Sequence, residues 1–240
     1  MGGRIIVGIP GPWKDRSALV KALAGTSEGY LLVGQILYSA SSKIAYGADV
    51  ADHDVGLVRA FEIASGGSIP KEDIAEIGHH GLVLYCLSEG IGLEQARLLM
   101  GAVVAVLSAG GIAVKVESSG VAHSADRWRK LASSPQLFDT YTAFVTLVGN
   151  RECFYSCGMH CFGLPDAAVD RSLAPDEAAK TLNTFNHYQL SERPELKHGQ
   201  SFSVDENSRK FYLEHVPCTA YAPDHEFHNP SGLWSLATGS

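Results

Sequence analysis

The chain has 240 residues, of which 45% are hydrophobic and 19% charged, and its formal net charge is −7. A chain of this size and composition can bury most of its surface, which excludes a disordered chain and a disulfide-stapled mini-protein. The negative charge and the lack of a long basic run argue against nucleic acid as a partner. The longest apolar stretch, residues 98–107, falls short of the roughly 20 residues that a membrane-spanning helix needs.

The cysteines and the first residues bear on location. Five cysteines is an odd number, which does not suit a closed disulfide framework. The first 16 residues carry charges and no separate apolar core, so no secretory signal is visible. We therefore predict a cytoplasmic protein with free thiols and without a membrane partner.

Residues 1–125 have the pattern of an N-terminal α/β lobe. Its clearest part is an apolar strand over residues 82–87, a helix over 93–109 that is apolar on nearly every face, and a β-branched strand over 112–116. This order predicts a βαβ unit whose two strands are neighbours and parallel, with a right-handed crossover. Further elements are predicted earlier in the lobe: strands over 4–9, 30–38 and 44–50, and helices over 17–24, 54–64 and 71–77.

Residues 126–240 predict a C-terminal α+β lobe. Strands over 143–148 and 152–162 flank Gly149-Asn150, which is typical of a hairpin turn. A helix beginning at Pro175 and an antiparallel pair over 202–204 and 211–216 follow. The prolines at 217, 223 and 230 argue against a long central strand after this pair. No linker separates the lobes, so we expect one compact α+β unit with a mixed sheet.

Several segments of the second lobe resemble a known family. The segments are Gly158–Asp166 (GMHCFGLPD), a helix around 178–188, the Gly-Gln-Ser-Phe stretch and the closing Pro230–Trp234. Together they resemble the C-terminal domain of bacterial proteins catalogued as domain-of-unknown-function family 4261. Pro12-Trp13 and His80–Val83 are similar to its N-terminal part. The resemblance implies a soluble bacterial α+β protein and implies no catalytic residue.

The loop between the first strand and the first helix occupies the place of a phosphate-binding loop. Its sequence, residues 8–15, departs from that motif at two positions. Trp13 stands where a glycine must let backbone amides close around a phosphate, and Asp15 replaces the hydroxyl that binds Mg²⁺. We interpret the segment as a stiff turn, with Trp13 packed in the core and Asp15 or Ser17 capping the helix.

Two groups of residues have ligand types that suit a metal. Cysteines recur at every fourth position between 153 and 161, but on a strand that spacing is roughly 13 Å, too far for one metal. We expect them on a single apolar strand face. Asp224, Glu226 and His228 would share one face of an extended segment, although the nearby prolines favour a solvated loop. We predict no metal and no cofactor.

The strongest candidate site lies beyond the carboxyl ends of the two predicted parallel strands. Ligands in sheets with parallel strands bind at such ends. Ser88 and Glu89 follow the first strand, while Ser118 and Trp128 follow the second. We predict that these four residues line a polar pocket.

Catalysis in this pocket would need an acid–base pair. Glu117 and His123 are the candidates, because a carboxylate near a histidine raises the pKa of the imidazole and orients its ring. The pair is expected to work only if the two groups lie within a few ångströms of each other.

Three functions remain open from the sequence. The leading hypothesis is a non-catalytic binding or protein-interaction module, forming a homo-oligomer through apolar surface of the helix over 93–109, or binding a basic protein through the charge of −7. The second is a metal-dependent or acid–base hydrolase that uses Glu117 and His123. The third is a purely structural oligomer subunit.

Overall fold

The structure is a computed structural model that describes residues 3–238. Its helices and two sheets form an α+β fold that includes a mixed sheet, as predicted. The chain divides into two compact units, residues 1–143 and 144–240. The sequence placed the division after residue 125, whereas the structure assigns the next 18 residues, 126–143, to the first unit.

The first unit contains these elements in chain order: β1 (Ile6–Gly11), α1 (Arg16–Ala24), β2 (Tyr30–Val33), β3 (Ile36–Ser39), β4 (Ala45–Asp52), α2 (Leu57–Ser65), α3 (Lys71–Ile77), β5 (Leu82–Leu87), α4 (Leu93–Ser108), β6 (Ala113–Val116), β7 (Val121–Ser124), α5 (Ala125–Ser133) and α6 (Leu137–Phe144). The strands form one sheet in the order β2-β3-β4-β5-β1-β6-β7. Every neighbouring pair in it is antiparallel.

The predicted βαβ unit differs from the structure in one respect. β5 and β6 run in the same direction, because each pairs antiparallel with β1. They are not neighbours, since β1 lies between them. Every residue of β1 is buried, which is the environment of a central strand covered on both faces. The prediction that β5 and β6 lie side by side is therefore wrong.

The start of the chain folds as the sequence analysis predicted. Trp13 is buried, and its Nε1 donates a hydrogen bond of 2.9 Å to the Ala109 carbonyl. Asp15 caps α1 by accepting a hydrogen bond of 2.8 Å from the Ala18 amide. Such a cap contributes about 1 kcal/mol to helix stability.

The helix α4 is covered within its own unit. Eight of its side chains are buried, and α1, α5 and β1 contact it. The helix lies wholly within the described residues, and none of its large apolar side chains is exposed. Leu93, Leu98 and Val104 are only partly buried, so the helix offers little apolar surface for the oligomer contact that the sequence predicts.

The second unit contains these elements: β8 (Thr146–Gly149), β9 (Cys153–Cys157), a short 3-10 helix (Met159–Phe162), β10 (Asp166–Asp170), α7 (Pro175–Glu192), β11 (Ser201–Phe202), β12 (Phe211–Val216) and β13 (Leu233–Thr238). Its sheet has the order β11-β12-β13-β10-β9-β8. The sheet is mixed, because β10 and β13 are parallel and the other pairs are antiparallel.

Two features of this unit depart from the predicted strands. The strand expected over 152–162 ends at Cys157, and the next residues turn into the 3-10 helix. The cysteines between 153 and 161 therefore do not share one strand face. The second feature is β13, which was not predicted and lies between β12 and β10. It begins three residues beyond the last proline, so that proline removes no hydrogen bond from it.

The core of the second unit lies between α7 and the sheet. Leu182 and Phe185 of α7 pack in one cluster with Val169 of β10 and with Trp234 and Leu236 of β13. Full burial of side chains of this size stabilises the fold by about 2 kcal/mol each. Because one side of α7 is buried in this way, its apolar residues recur with a helical period, and the sequence therefore predicted the helix after Pro175.

Candidate functional site

The structure assigns Ser88 and Ser118 a common structural role. The Ser88 hydroxyl accepts a hydrogen bond of 2.8 Å from the Ile5 amide, and the Ser118 hydroxyl accepts one of 2.9 Å from the Ile6 amide. Both serines thus bind the backbone at the start of β1 and hold it between β5 and β6. β1 separates the two strands that were predicted to be neighbours, and the amides at its start donate hydrogen bonds to both serine hydroxyls.

Half of the predicted pocket persists at the end of β5. Ser88 and Glu89 line a depression of about 390 Å³ together with Tyr46, Gln95 and Leu98. Ser118 and Trp128 are not part of its lining. The Ser88 hydroxyl also donates to the Gly90 carbonyl at 2.5 Å, which leaves the exposed Glu89 carboxylate as the charged group of this depression.

Trp128 belongs to the core of the first unit. Its side chain is 0% exposed, and its Nε1 donates a hydrogen bond of 3.3 Å to the Met100 carbonyl. A fully buried indole cannot contact a ligand from solvent. The prediction that Trp128 lines a polar pocket is therefore wrong.

Glu117 and His123 project from opposite faces of the sheet. Glu117 forms an ion pair with Lys115, which lies on the same face two residues earlier. His123 stands opposite Val114, whereas Lys115 stands opposite Ala122. Successive side chains on a strand alternate between the two faces. The structure therefore does not bring this carboxylate and this imidazole together as an acid–base pair.

His123 is a buried, neutral histidine. It is 6% exposed, lies beside the Trp128 ring at a centroid distance of 5.8 Å, and its Nε2–H donates to the Ala143 carbonyl at 3.2 Å. Burial disfavours the charged imidazole and lowers the pKa of His123 to about 4. A histidine of this kind stabilises the fold only while it is uncharged.

We expect His123 to make the first unit sensitive to acid. Its pKa rises from about 4 in the folded protein to about 6.5 in the unfolded chain, which binds protons more tightly. The stability it contributes is present above pH ~6.5 and falls by about 3 kcal/mol as the pH drops to ~4. Hydrogen exchange of β6 and β7 over this range should show the loss, and His123→Gln should reduce it. The same change at exposed His79 is the control and should leave the loss unaltered.

The predicted metal candidates near the C-terminus lie in a turning segment. The His225 amide donates to the Ala222 carbonyl and the His228 amide donates to the His225 carbonyl, each at 2.9 Å. The backbone here is therefore not extended, so Asp224, Glu226 and His228 do not share the face of a strand. Within residues 3–238 no group of three His, Cys, Asp or Glu side chains is arranged to hold a metal.

A buried carboxylate network organises the second unit. One oxygen of Asp166 accepts hydrogen bonds from the Ser156 hydroxyl at 3.2 Å and the Met159 amide at 3.1 Å. The other oxygen accepts from the Asn229 amide nitrogen at 2.6 Å. Asp166 is 7% exposed, and burial raises its pKa to about 6 despite these donors. The carboxylate connects the loop after β9 with the segment before β13.

A small cavity adjoins this network. Its volume is about 30 Å³, and its walls include Asp166, Cys157, Cys218 and the aromatic residues Tyr155 and Tyr221. The two tyrosine hydroxyls share a hydrogen bond of 3.0 Å. Space of this size holds one or two water molecules rather than a substrate. We regard the Asp166 network as structural.

Four exposed apolar side chains lie together on the hairpin of β2 and β3. Leu31, Val33, Ile36 and Tyr38 are 43%, 65%, 48% and 36% exposed. Leu31 stands opposite Tyr38, and Val33 stands opposite Ile36, so the four side chains share one face. The other face carries Leu32 and Leu37, which are buried. We call the four exposed side chains the hairpin platform.

Beside the hairpin platform, the same face of the sheet carries small residues of β4. Ile36 is opposite Gly47 and Tyr38 is opposite Ala45 on β4, and Gly47 is in turn opposite Leu87 on β5. The small residues of β4 leave the platform side chains standing above their neighbours. A hairpin that faces water normally alternates apolar and polar residues. One that is apolar on both faces is typical of an interaction surface.

The sequence pattern over residues 30–38 predicts one strand, whereas the structure has two, β2 and β3, so this surface was not predicted. The chain turns at Gly34-Gln35, where Gly34 has a φ of +56°. Two-residue hairpin turns need such a positive φ, which glycine adopts without strain. The sequence does contain a pattern typical of this hairpin. Apolar residues occupy consecutive positions on both sides of Gly34, so each strand carries apolar side chains on both of its faces.

The fold and these sites define an α+β protein with an exposed apolar hairpin. The model of the family described as "Domain of unknown function (DUF4261)" matches residues 155–228. The predicted resemblance is therefore confirmed in the C-terminal part of the chain, including Gly158–Asp166. The match does not extend to Pro12-Trp13, His80–Val83 or Pro230–Trp234.

Searches of the curated proteins and of the solved structures gave no match to this chain. None of the helices in residues 3–238 combines the length and the apolar character required to cross a membrane.

Proposed function

We propose that this protein is a non-catalytic interaction module that associates through the hairpin platform. The proposed occupant of the platform is a second copy of the same chain. The observation that carries the proposal is the hairpin with apolar side chains on both faces, four of them at least 36% exposed. The proposal places the oligomer contact on β2 and β3, whereas the sequence analysis placed it on α4.

Burial energetics support a contact at this position. Full burial of a leucine, valine or isoleucine side chain is worth about 1.5–3 kcal/mol, so covering the exposed part of each platform residue contributes about 1 kcal/mol. Association also costs several kcal/mol of translational and rotational freedom. Four side chains on each of two copies contribute about 8 kcal/mol in all, and the association cost leaves only a few kcal/mol, so we expect weak, reversible self-association with a Kd of high-micromolar to millimolar order.

A second copy fits this surface better than a basic protein does. None of the platform side chains is charged, so a partner selected by charge would gain little there. Two copies of a flat apolar face can meet across a two-fold axis, which is the commonest arrangement among soluble oligomers. The net charge of −7 opposes this association, and salt relieves that repulsion.

The experiment replaces the most exposed part of the platform. Val33→Lys and Ile36→Lys together put two positive charges where the apolar contact is proposed. We expect sedimentation velocity to show concentration-dependent dimers for the wild-type chain and monomers for this variant, with at least a tenfold weaker association. Both positions are exposed, so the free energy of unfolding should change by less than about 0.5 kcal/mol each.

The matched control is an equally exposed apolar residue elsewhere. Ile63 on α2 is 66% exposed, and Ile63→Lys should leave dimerisation unchanged. Circular dichroism of each variant checks that the fold is retained. A wild-type chain that stays monomeric, or a platform variant that dimerises as well as the wild type, would contradict the proposal.

The proposal includes a location in the cytoplasm. All five cysteines are free, and thiols persist in compartments that are kept reducing. A tagged chain that fractionates with secreted or membrane material would contradict this location.

A further inference from the structure

Two cysteines from distant parts of the sequence meet at one cavity. Cys157 ends β9, and Cys218 follows the end of β12 by two residues. Both line the cavity of about 30 Å³ beside Asp166. From this shared cavity we infer that Cys157 and Cys218 are a peroxide-sensitive thiol pair, which closes into a disulfide inside the second unit.

The two thiols differ in their access to solvent. Cys157 is 3% exposed, whereas Cys218 is half-buried. Burial raises the pKa of the Cys157 thiol, and Cys218 is among the neighbouring groups that raise it further. Cys218 is the thiol that an oxidant from solvent reaches first, and Cys157 lines the same cavity.

Cys218 lies in a segment that no strand pairing holds. Residues 217–220 are irregular and follow β12 directly. The segment after them is held by the Tyr155–Tyr221 hydroxyl bond and by His228, whose Nδ1 bonds to the Tyr221 carbonyl at 3.0 Å. Cys157 is fixed on β9 by strand pairing. The cavity that both residues line offers space for a sulfur–sulfur bond of about 2.05 Å.

The reaction needs one equivalent of hydrogen peroxide. The Cys218 thiolate attacks one peroxide oxygen and the O–O bond breaks, which gives a sulfenic acid and hydroxide. The Cys157 sulfur then attacks the Cys218 sulfur, the S–O bond breaks, and hydroxide leaves with the thiol proton as water. In total two thiols and one peroxide give one disulfide and two waters.

The test is a thiol count and a peptide map after peroxide treatment of the folded chain. The untreated protein should show five free thiols on unfolding in a thiol reagent, and the treated protein should have lost two of them. Trypsin cleaves after Arg171 and Lys210 and releases Cys157 in peptide 152–171 and Cys218 in peptide 211–240. We expect these two peptides to be joined and to separate on reduction.

Single substitutions identify the sulfurs involved. Peptide 152–171 also contains Cys153 and Cys161. Cys157→Ser and Cys218→Ser should each abolish the joined peptides, whereas Cys153→Ser, on the same strand as Cys157, should leave them. Retention of all five thiols, oxidation confined to Cys218 as sulfinic acid, or a bond between Cys157 and Cys161 would each overturn the inference.

Discussion

Replacing Asp166 with alanine is expected to lower the free energy of unfolding of the second unit by about 3 kcal/mol at pH 7. The change removes the acceptor of the Met159 amide, the Ser156 hydroxyl and the Asn229 side chain. Each buried donor left without an acceptor costs about 1–3 kcal/mol. Removal of a buried charge offsets part of this cost.

The cost of Asp166→Ala should grow as the pH falls. The pKa of Asp166 is about 6 in the folded protein and about 3.9 in an unfolded chain, so the folded state binds the proton more tightly. The stability gained by protonation is full below pH ~3.9 and is lost as the pH rises through ~6. Between pH 7.5 and pH 5 the wild type should therefore gain about 1 kcal/mol that the variant does not gain.

Hydrogen exchange of β10 and α7 measures this effect within the second unit, without interference from His123 in the first. Asp170→Ala is the control, because Asp170 is exposed on the same strand. A cost of Asp166→Ala that stays constant or shrinks between pH 7.5 and pH 5 would show that the carboxylate is not held as the structure places it.

The second large effect is expected at Trp128. Trp128→Ala should destabilise the first unit by about 3–5 kcal/mol, because it removes a fully buried indole and leaves a cavity beneath α4 and α5. Urea unfolding followed by hydrogen exchange of α4 measures the change. Trp128→Phe keeps most of the volume and should cost less than the alanine variant.

Trp128 also separates the structural interpretation from the ligand-binding one. A residue of the predicted pocket could be changed to alanine at little cost in stability, since surface substitutions usually fall within about 0.5 kcal/mol. If the Trp128→Ala variant had wild-type stability, Trp128 would have to be exposed, which would contradict its buried position.

Sequence patterns predicted individual helices and strands well. Each of α4, α7 and β5 buries a continuous face or stripe, and this burial leaves a helical period or an apolar run in the sequence. Strand order was not accessible in the same way. β1 reaches its place between β5 and β6 through hydrogen bonds to residues far along the chain, and no local pattern encodes those partners.

Only the half of the candidate pocket at the end of β5 persists, for the same reason. Ser88 and Ser118 have the chemistry of ligand-binding residues, and their hydroxyls do accept hydrogen bonds, but from the amides of Ile5 and Ile6. The hairpin platform could have been recognised from the sequence, because Gly34 interrupts a stretch whose apolar residues would lie on both faces of a strand. The Asp166 network could not, because Asn229 and Asp166 meet only through the folding of β10 and β13.

The hairpin platform is the central claim, and its salt dependence tests it most directly. Sedimentation velocity of the wild-type chain is compared in about 0.05 M and about 0.5 M sodium chloride, across which charge repulsion is screened. An apolar contact between two copies that each carry a charge of −7 predicts dimers that become tighter at the higher salt concentration. A monomer at both concentrations, or dimers that dissociate as salt is added, would contradict the account.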